Sequence, residues 1–299
     1  MNIVPFMHAV SWGNLSNLAS ALRESEIATL PQADYLRLGS ELAGRFPELA
    51  EIGAHILHQL NGPAGFCVID DLNRLDLPSE AIAAAFVMLC HQIGTPSSHN
   101  EEHKVVWDVR DRGAAERERT FSERTGEAPF HTDSAFAIRP EEYFGLYTLQ
   151  AADCGGGLSR IIPADRLLAA MNTSAEGRHF RQVLERNFYP FKIPPAFSSS
   201  GRVIFGKIID NGKLRYRHDC IRQGMAEAPA RVTSEMAEAL AWFDALVESG
   251  VQPIEMGLAA GQAVFVNNRR VLHARSDYRD AKRHLLRVRM HAFDAAAPN

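Results

Sequence analysis

Residues 261–275 read GQAVFVNNRRVLHAR, and this stretch decides the class of fold. A Gly-Gln turn signal precedes the apolar run 263–266, whose short length and two valines favour a buried strand. The polar residues 267–270 then predict a turn into a second strand near His273. After a charged loop, residues 284–292 alternate cations with aliphatic side chains, as in a strand with one polar and one apolar face. Three consecutive strands are therefore expected here.

Helical patterns lie mainly upstream of these strands. Apolar residues recur at helical spacing over 34–60, where Pro47 is expected to separate two helices. Further helices are predicted over 78–93, 163–171 and 234–249, the last with Ser234 as its cap. Early helices followed by strands and turns predict an α+β, mainly β chain with a double-stranded β-helix (jelly-roll) core and flanking helices.

One catalytic domain over residues 1–299 is expected, because a barrel domain of this size is common and no linker stands out. Its parts would be a helical part at about 1–62, a jelly-roll core at about 63–294 and a lid-like insert at about 111–127. The insert is charged and contains glycine, yet it lies between two expected core strands. A mobile active-site loop explains that position better than a domain boundary does.

The sequence His131-Thr132-Asp133 can supply two metal ligands. Side chains two residues apart on a strand share a face, so an extended segment 128–136 would direct both toward one ion. His273 from a distant strand would complete two imidazoles and one carboxylate, the ligand set of non-haem Fe(II) oxygenases. Arg287 suits a carboxylate cosubstrate, because its planar guanidinium binds two oxygens at once.

The tripeptide alone is weak evidence, because His99-Asn100-Glu101 matches it as well. That copy follows residues 94–98, whose Gly, Pro and Ser predict a loop. His131 instead has apolar neighbours on both sides, as expected of a strand that enters a core. Taken alone, His131 and Asp133 could still be a structural hydrogen-bonded pair. Their combination with His273 and Arg287 favours iron.

Residues 129–136 (PFHTDSAF) and 261–289 resemble the Fe(II)/2-oxoglutarate-dependent oxygenases of the taurine dioxygenase and clavaminate synthase type. The resemblance extends over residues 65–293. It implies that His131, Asp133 and His273 bind Fe(II) and that Arg287 binds the distal carboxylate of 2-oxoglutarate. The family has a Gly-Gly-x-Thr segment after the first ligand, and residues 156–159 match it with Ser159 in place of Thr. Ser159 is therefore expected to contact the same carboxylate.

The resemblance also implies the reaction. Fe(II), 2-oxoglutarate and O₂ would hydroxylate a small metabolite with release of succinate and CO₂, and desaturation or cyclisation could replace hydroxylation. Asp133 disfavours halogenation, since halogenating relatives lack this carboxylate. Clavaminate-type amino-acid hydroxylases have a second arginine four residues after the first, where this chain has His291. A free α-amino acid held in that way is less expected, unless Arg289 or Arg275 supplies the charge.

Candidate substrate contacts are less specific than the metal ligands. Arg289 fits a ligand contact and a structural role equally well, whereas Arg275 and Arg283 are expected to be surface or loop charges. Aromatic and cationic residues of the middle segment suit a pocket for a small anionic or ring-bearing molecule. The full set of candidates is Arg289, His291, Trp107, Phe136 and Arg217.

Composition narrows the partners to a small-molecule substrate. A net charge of −4 argues against nucleic acid, and no 18-residue apolar run or basic leader predicts membrane insertion or export. The four cysteines are dispersed, which favours reduced thiols in a cytoplasmic protein, and a homo-oligomer is possible. Two other functions stay open: a cupin-like metal enzyme with non-oxidative chemistry and a non-catalytic metabolite-binding module.

Overall fold

The computed structural model describes residues 7–8, 19–20, 22, 41, 44–70, 77–98, 104–112, 120–197 and 201–293. The helices are α1 (Pro47–Asn61), α2 (Ser79–His91), α3 (Ala164–Met171), α4 (Ala175–Arg186), α5 (His218–Glu227) and α6 (Ser234–Ala245). The first strands are β1 (Met7–His8), β2 (Phe66–Ile69), β3 (Thr95–Ser97), β4 (Trp107–Val109), β5 (Ala128–His131), β6 (Tyr143–Gln150), β7 (Ser159–Pro163) and β8 (Tyr189–Lys192). The others are β9 (Val203–Gly206), β10 (Ile209–Asp210), β11 (Lys213–Leu214), β12 (Ile254–Met256), β13 (Ala263–Asn267), β14 (Val271–Arg275) and β15 (His284–His291).

Two sheets form the jelly-roll core. The larger has the order β1-β2-β13-β6-β15-β3, with β4 also paired to β15, and the smaller has the order β12-β7-β14-β5. All pairings are antiparallel except that of β1 with β2. The apolar interior between the sheets includes Phe66, Phe144, Ile161, Val264, Val266 and Val271. The predicted fold class is thereby confirmed.

The alternation of strand side chains separates two environments. On β13, Val264 and Val266 face the interior between the sheets, whereas Phe265 packs with Phe86 of α2 on the other face of the larger sheet. On β15, Leu286, Val288 and Met290 join the helix-covered core. The intervening residue Arg287 therefore lies on the face opposite the helices, where it lines a cavity. Helices α3 to α6 pack in a separate core beside the smaller sheet.

Several predicted elements need correction. Residues 94–98 are not all loop, because β3 pairs with β15 and Pro96 is tolerated at the edge of a sheet. Helix α6 is capped by Thr233, whose hydroxyl accepts a hydrogen bond from the Met236 amide, rather than by Ser234. Helices α4 and α5 were not predicted. Pro47 does begin a helix.

The domain boundaries stay a prediction, because most of the helical part before residue 44 and residues 113–119 of the lid-like insert lie outside the described residues. The second copy of the tripeptide, His99-Asn100-Glu101, lies outside them as well. The described end of the insert contains a 3-10 turn, Phe121–Glu123, closed by a capping box between Thr120 and Glu123. In the described part of the chain, no helix has the length and hydrophobicity needed to cross a membrane.

Candidate metal centre and active site

The three predicted iron ligands converge at one edge of the smaller sheet. His131 ends β5 and His273 lies on β14, and the two residues are paired directly across the strands. Their ring centroids are 4.3 Å apart. Asp133 Oδ1 lies 3.5 Å from His131 Nε2 and 3.7 Å from His273 Nε2. An octahedral ion with bonds of about 2.1 Å separates adjacent ligands by about 3 Å, so small side-chain adjustments suffice for all three to bind one ion.

Asp133 reaches this position through a turn rather than the extended strand that was predicted. Strand β5 stops at His131, and Ser134 adopts a positive φ of 53°. The amide of Ala137 donates to the Ser134 carbonyl and closes the turn at 2.7 Å. Left-handed backbone is uncommon outside glycine, so the surrounding contacts must stabilise it.

Asn268 holds the turn that carries Asp133. Its Oδ1 accepts a hydrogen bond from the Asp133 amide at 2.7 Å, and its Nδ2 donates to the carbonyls of Asp133 and Glu141 at 3.0 and 2.9 Å. The side chain is fully buried, in the turn between β13 and β14. The same β13–β14 connection thus leads into the strand with His273 and fixes the backbone of Asp133. Sequence reasoning assigned Asn268 only to a polar turn.

The protonation states suit a cation. His131 Nδ1 lies 2.8 Å from the Pro129 carbonyl, so a proton on Nδ1 leaves Nε2 free to bind a metal. Burial is the main cause that lowers the pKa of His273 to about 4, which keeps its imidazole neutral. Burial alone would raise the pKa of Asp133, but the charge of Arg287 and the two neighbouring histidines hold this pKa well below its usual value. Two neutral imidazoles and a carboxylate are the forms that bind a metal.

Arg287 lies beside this cluster. Its Nη1 donates to Asp133 Oδ2 at 3.3 Å, and its Nε is buried without a hydrogen-bond partner among the described residues. Burial lowers the pKa of this guanidinium, although Asp133 partly opposes the shift. The metal cluster, Arg287 and Ser159 line one cavity with a volume of about 80 Å³. We call it the inner cavity.

Arg275 and Arg283 were expected to be surface or loop charges, but both are buried, with exposures of 8% and 5%. Arg275 lies on β14, whereas Arg283 does lie in a loop, the one before β15. Their guanidinium carbons lie 4.9 and 5.0 Å from the centre of the buried Tyr278 ring. Arg275 donates to the carbonyls of Phe121, Arg124 and Gly126, and Arg283 donates to that of Gly157. The charged sequence around them suggested solvent, but the Tyr278 ring and these carbonyls provide buried partners.

The other candidate residues occupy different surroundings. Arg289 is buried and donates to the Ser134 hydroxyl at 2.6 Å, with Glu141 3.6 Å away. Trp107 Nε1 donates to the Ser122 hydroxyl. His291 pairs with Thr95 in the sheet and does not line the inner cavity.

Arg217 and Phe136 lie close to the metal cluster. The backbone of Arg217 bridges to His131, and its guanidinium lies 5.5 Å from the Phe136 ring and 4.7 Å from the Phe121 ring. Phe121 in turn packs edge-on against the His131 ring at 5.2 Å. Sequence reasoning missed Phe121, although its place in the lid-like insert was an available signal.

Comparison with known proteins identifies the family. The family model described as "Taurine catabolism dioxygenase TauD, TfdA family" matches residues 28–289. A search of curated proteins found no match. Among solved structures, an asparagine oxygenase complex with Fe(II), hydroxyasparagine and succinate has a TM-score of 0.76 at 18% identity, covering 96% of this chain and 94% of its own. The non-haem iron oxygenase OrfP, with Fe and α-ketoglutaric acid, has a TM-score of 0.69 at 15% identity, with coverages of 96% and 94%.

At these identities the solved structures show that the fold is shared, whereas the family model covers most of the sequence. The His-x-Asp and distant His that the sequence predicted are close together in space. The chain therefore belongs to the TauD/TfdA family and is a 2-oxoglutarate-dependent non-haem iron dioxygenase.

Proposed function

We propose that the protein hydroxylates, desaturates or cyclises a small amino-acid-derived or natural-product intermediate, with release of succinate and CO₂. In this proposal His131, Asp133 and His273 bind Fe(II), and Arg287 with Ser159 binds 2-oxoglutarate. The observation that carries it is the convergence of the three ligand groups with Arg287 in one buried cavity. If His131 and Asp133 were only a structural hydrogen-bonded pair, neither His273 nor Arg287 would be needed beside them.

Fe(II) with 2-oxoglutarate and O₂ supplies the oxidising power to break an unactivated C–H bond. The protein's own residues supply orientation and a dry site. The Pro129 carbonyl fixes the ring of His131, and Asn268 fixes the backbone of Asp133. The Nε of Arg287 is buried without a hydrogen-bond partner among the described residues, and a carboxylate of the cosubstrate would satisfy it. Phe121, Phe144 and Val264 line the inner cavity and exclude water.

Two solved structures with the same fold support an amino-acid-like substrate. Asparagine oxygenase was solved with 3-hydroxyasparagine, and OrfP with a hydroxylated arginine. These proteins share the fold of this chain along almost its whole length. The chain has His291 where the resemblance expects a second arginine, so the substrate carboxylate needs a different partner here.

The test is succinate formation by the purified protein. We expect succinate and CO₂ only when Fe(II), 2-oxoglutarate and O₂ are all present, and none from His131→Ala. The control is His58→Ala, which removes an exposed imidazole from α1. A mass-spectrometric screen of small metabolites would then reveal products that gain oxygen or lose two hydrogens. Turnover without O₂ and 2-oxoglutarate would instead indicate a non-oxidative metal enzyme, and an iron complex that never consumes 2-oxoglutarate would indicate a binding module.

A further inference from the structure

A second, larger cavity lies next to the metal site. Its volume is about 730 Å³, and it shares Phe121 and Arg160 with the inner cavity. We call it the outer cavity. Its apolar lining includes Pro129, Phe130, Pro194, Pro195, Ala196 and Val247. Cavities that bind small molecules typically have volumes of about 300–1,000 Å³, so the outer cavity has the size of a metabolite site.

The charged residues of the outer cavity are unequally paired. Arg160 binds Glu127 and Glu255, so its charge is already compensated. Arg217 forms a two-point ion pair with Asp219, with N–O distances of 3.0 and 3.1 Å. That pairing uses two of the five N–H donors of a guanidinium and leaves three. His218 pairs with Asp244, and the remaining acid, Glu248, is exposed.

Arg124 is the cation without an acidic partner. It forms no ion pair within the described part of the chain, and its Nε is buried without a hydrogen-bond partner there. Its guanidinium carbon lies 4.8 Å from the centre of the Phe121 ring, and that of Arg217 lies 4.7 Å from the same ring. Two guanidinium groups on one ring repel each other, and Asp219 neutralises only one of them. An anion between them would remove this repulsion.

The other arginines near the metal are already engaged. Arg275 donates to three backbone carbonyls, and Arg283 donates to the Gly157 carbonyl and lines the inner cavity but not the outer one. Arg289 is held by Ser134 and Glu141. Arg287 lies beside Asp133 and is assigned to the cosubstrate. Arg124 and Arg217 are therefore the cations left for a substrate that enters from the outer cavity.

We propose that the outer cavity binds the substrate and that Arg124 and Arg217 together bind its carboxylate. The apolar part of the substrate lies against Phe130 and the Pro194–Pro195 wall, next to Phe121, which packs against the metal ligand His131. This inference rests on the proposed function and makes it more specific, because it assigns the substrate to small carboxylic acids and names the residues that select them. Arg217 and Arg124 are thus specificity-determining residues.

The experiment compares benzoate with benzamide, which has nearly the same shape and no charge. Binding is measured by ligand-observed NMR on the anaerobic protein loaded with Fe(II) and 2-oxoglutarate. We expect benzoate to bind and benzamide to bind about tenfold more weakly or not at all, because hydrogen bonds to a charged group are stronger than those to a neutral one. Arg124→Gln and Arg217→Gln should each weaken benzoate binding about tenfold. The matched control is Arg222→Gln, which removes a guanidinium bound to Asp244 and should leave the affinity for benzoate unchanged.

Arg217 contacts two aromatic rings, so its variant can fail for structural reasons. Arg124→Gln is the decisive variant, because the Arg124 side chain is only half-buried. The inference is overturned if benzoate does not bind, if benzamide binds equally well, or if benzoate affinity survives in Arg124→Gln. Succinate formation by the unmodified protein is measured in parallel. Its absence would contradict the proposed function, whereas normal succinate formation with unselective binding would contradict this inference alone.

Discussion

The side-chain amide of Asn268 links the carboxylate and the second imidazole of the metal site. It makes three hydrogen bonds, two of them to the backbone of Asp133. Asp133 precedes a residue with positive φ, so this turn needs external support. Because outer contacts of this kind orient metal ligands, their loss typically lowers metal affinity by about 10–100-fold.

Asn268→Ala should therefore weaken Fe(II) binding by about 10–100-fold. It should also lower the free energy of unfolding by about 1–3 kcal/mol, since buried backbone groups of Asp133 and Glu141 lose their partners. Anaerobic metal titration and urea denaturation measure the two effects. The control is Asn187→Ala, which removes a single hydrogen bond to the Val183 carbonyl at the end of α4. Equal metal affinity in both variants would show that Asn268 has no positioning role.

Arg287 provides the second prediction at this scale. Arg287→Ala should weaken 2-oxoglutarate binding by about 2–5 kcal/mol while Fe(II) still binds, because the change removes one partner of a buried charge pair. Arg287→Lys keeps the charge and loses the planar guanidinium. The affinity of this variant for 2-oxoglutarate should therefore lie between that of the unmodified protein and that of Arg287→Ala. Equilibrium titration of 2-oxoglutarate into the anaerobic Fe(II) protein measures both. An unchanged affinity in Arg287→Ala would assign the cosubstrate to another cation, with Arg283 of the same cavity the next candidate.

At the scale of elements, local pattern predicted strands better than it predicted turns. The alternation in β15 and the apolar run of β13 come from burial on defined faces, so the sequence shows them directly. The turn of Asp133 depends on Asn268, which is 135 residues away in sequence. The burial of Arg275 depends in the same way on carbonyls of residues 121–126. Such long-range contacts leave no local period for sequence reasoning to detect.

The packing of β6 against α2 depends on one glycine. A Cβ atom at Gly145 would lie 2.9 Å from ring atoms of both Phe265 and Phe86. Both rings are fully buried, so neither can move freely. Gly145→Ala should therefore lower the free energy of unfolding by about 1–3 kcal/mol through overpacking. Urea denaturation measures this, and Gly126→Ala is the control because no atom lies within 4 Å of its added Cβ. If Gly145→Ala were as stable as Gly126→Ala, the rings of Phe265 and Phe86 would be able to move aside and the prediction would be wrong.

At the scale of the whole molecule, the proposed ligands join the two sheets. His131 and His273 belong to β5 and β14 of the smaller sheet, whereas Arg287 belongs to β15 of the larger one. A metal ion alone would connect β5, its following turn and β14. A cosubstrate bound to both the metal and Arg287 would also connect β15, and so would oppose separation of the sheets. Ligand binding should therefore stabilise the folded chain in two steps.

Mn²⁺ can replace Fe(II) in this experiment, because carboxylate and imidazole sites accept it and it avoids turnover. A ligand at 100 times its dissociation constant should raise the free energy of unfolding by about 2.7 kcal/mol. We expect one such increase with Mn²⁺ and a second when 2-oxoglutarate is added, but little change with 2-oxoglutarate alone. Urea denaturation measures all three conditions. Asp133→Ala should lose both increases, whereas Arg287→Ala should keep the first and lose most of the second. Full stabilisation by 2-oxoglutarate without metal would contradict the proposed order, because the keto acid would then bind through arginines alone.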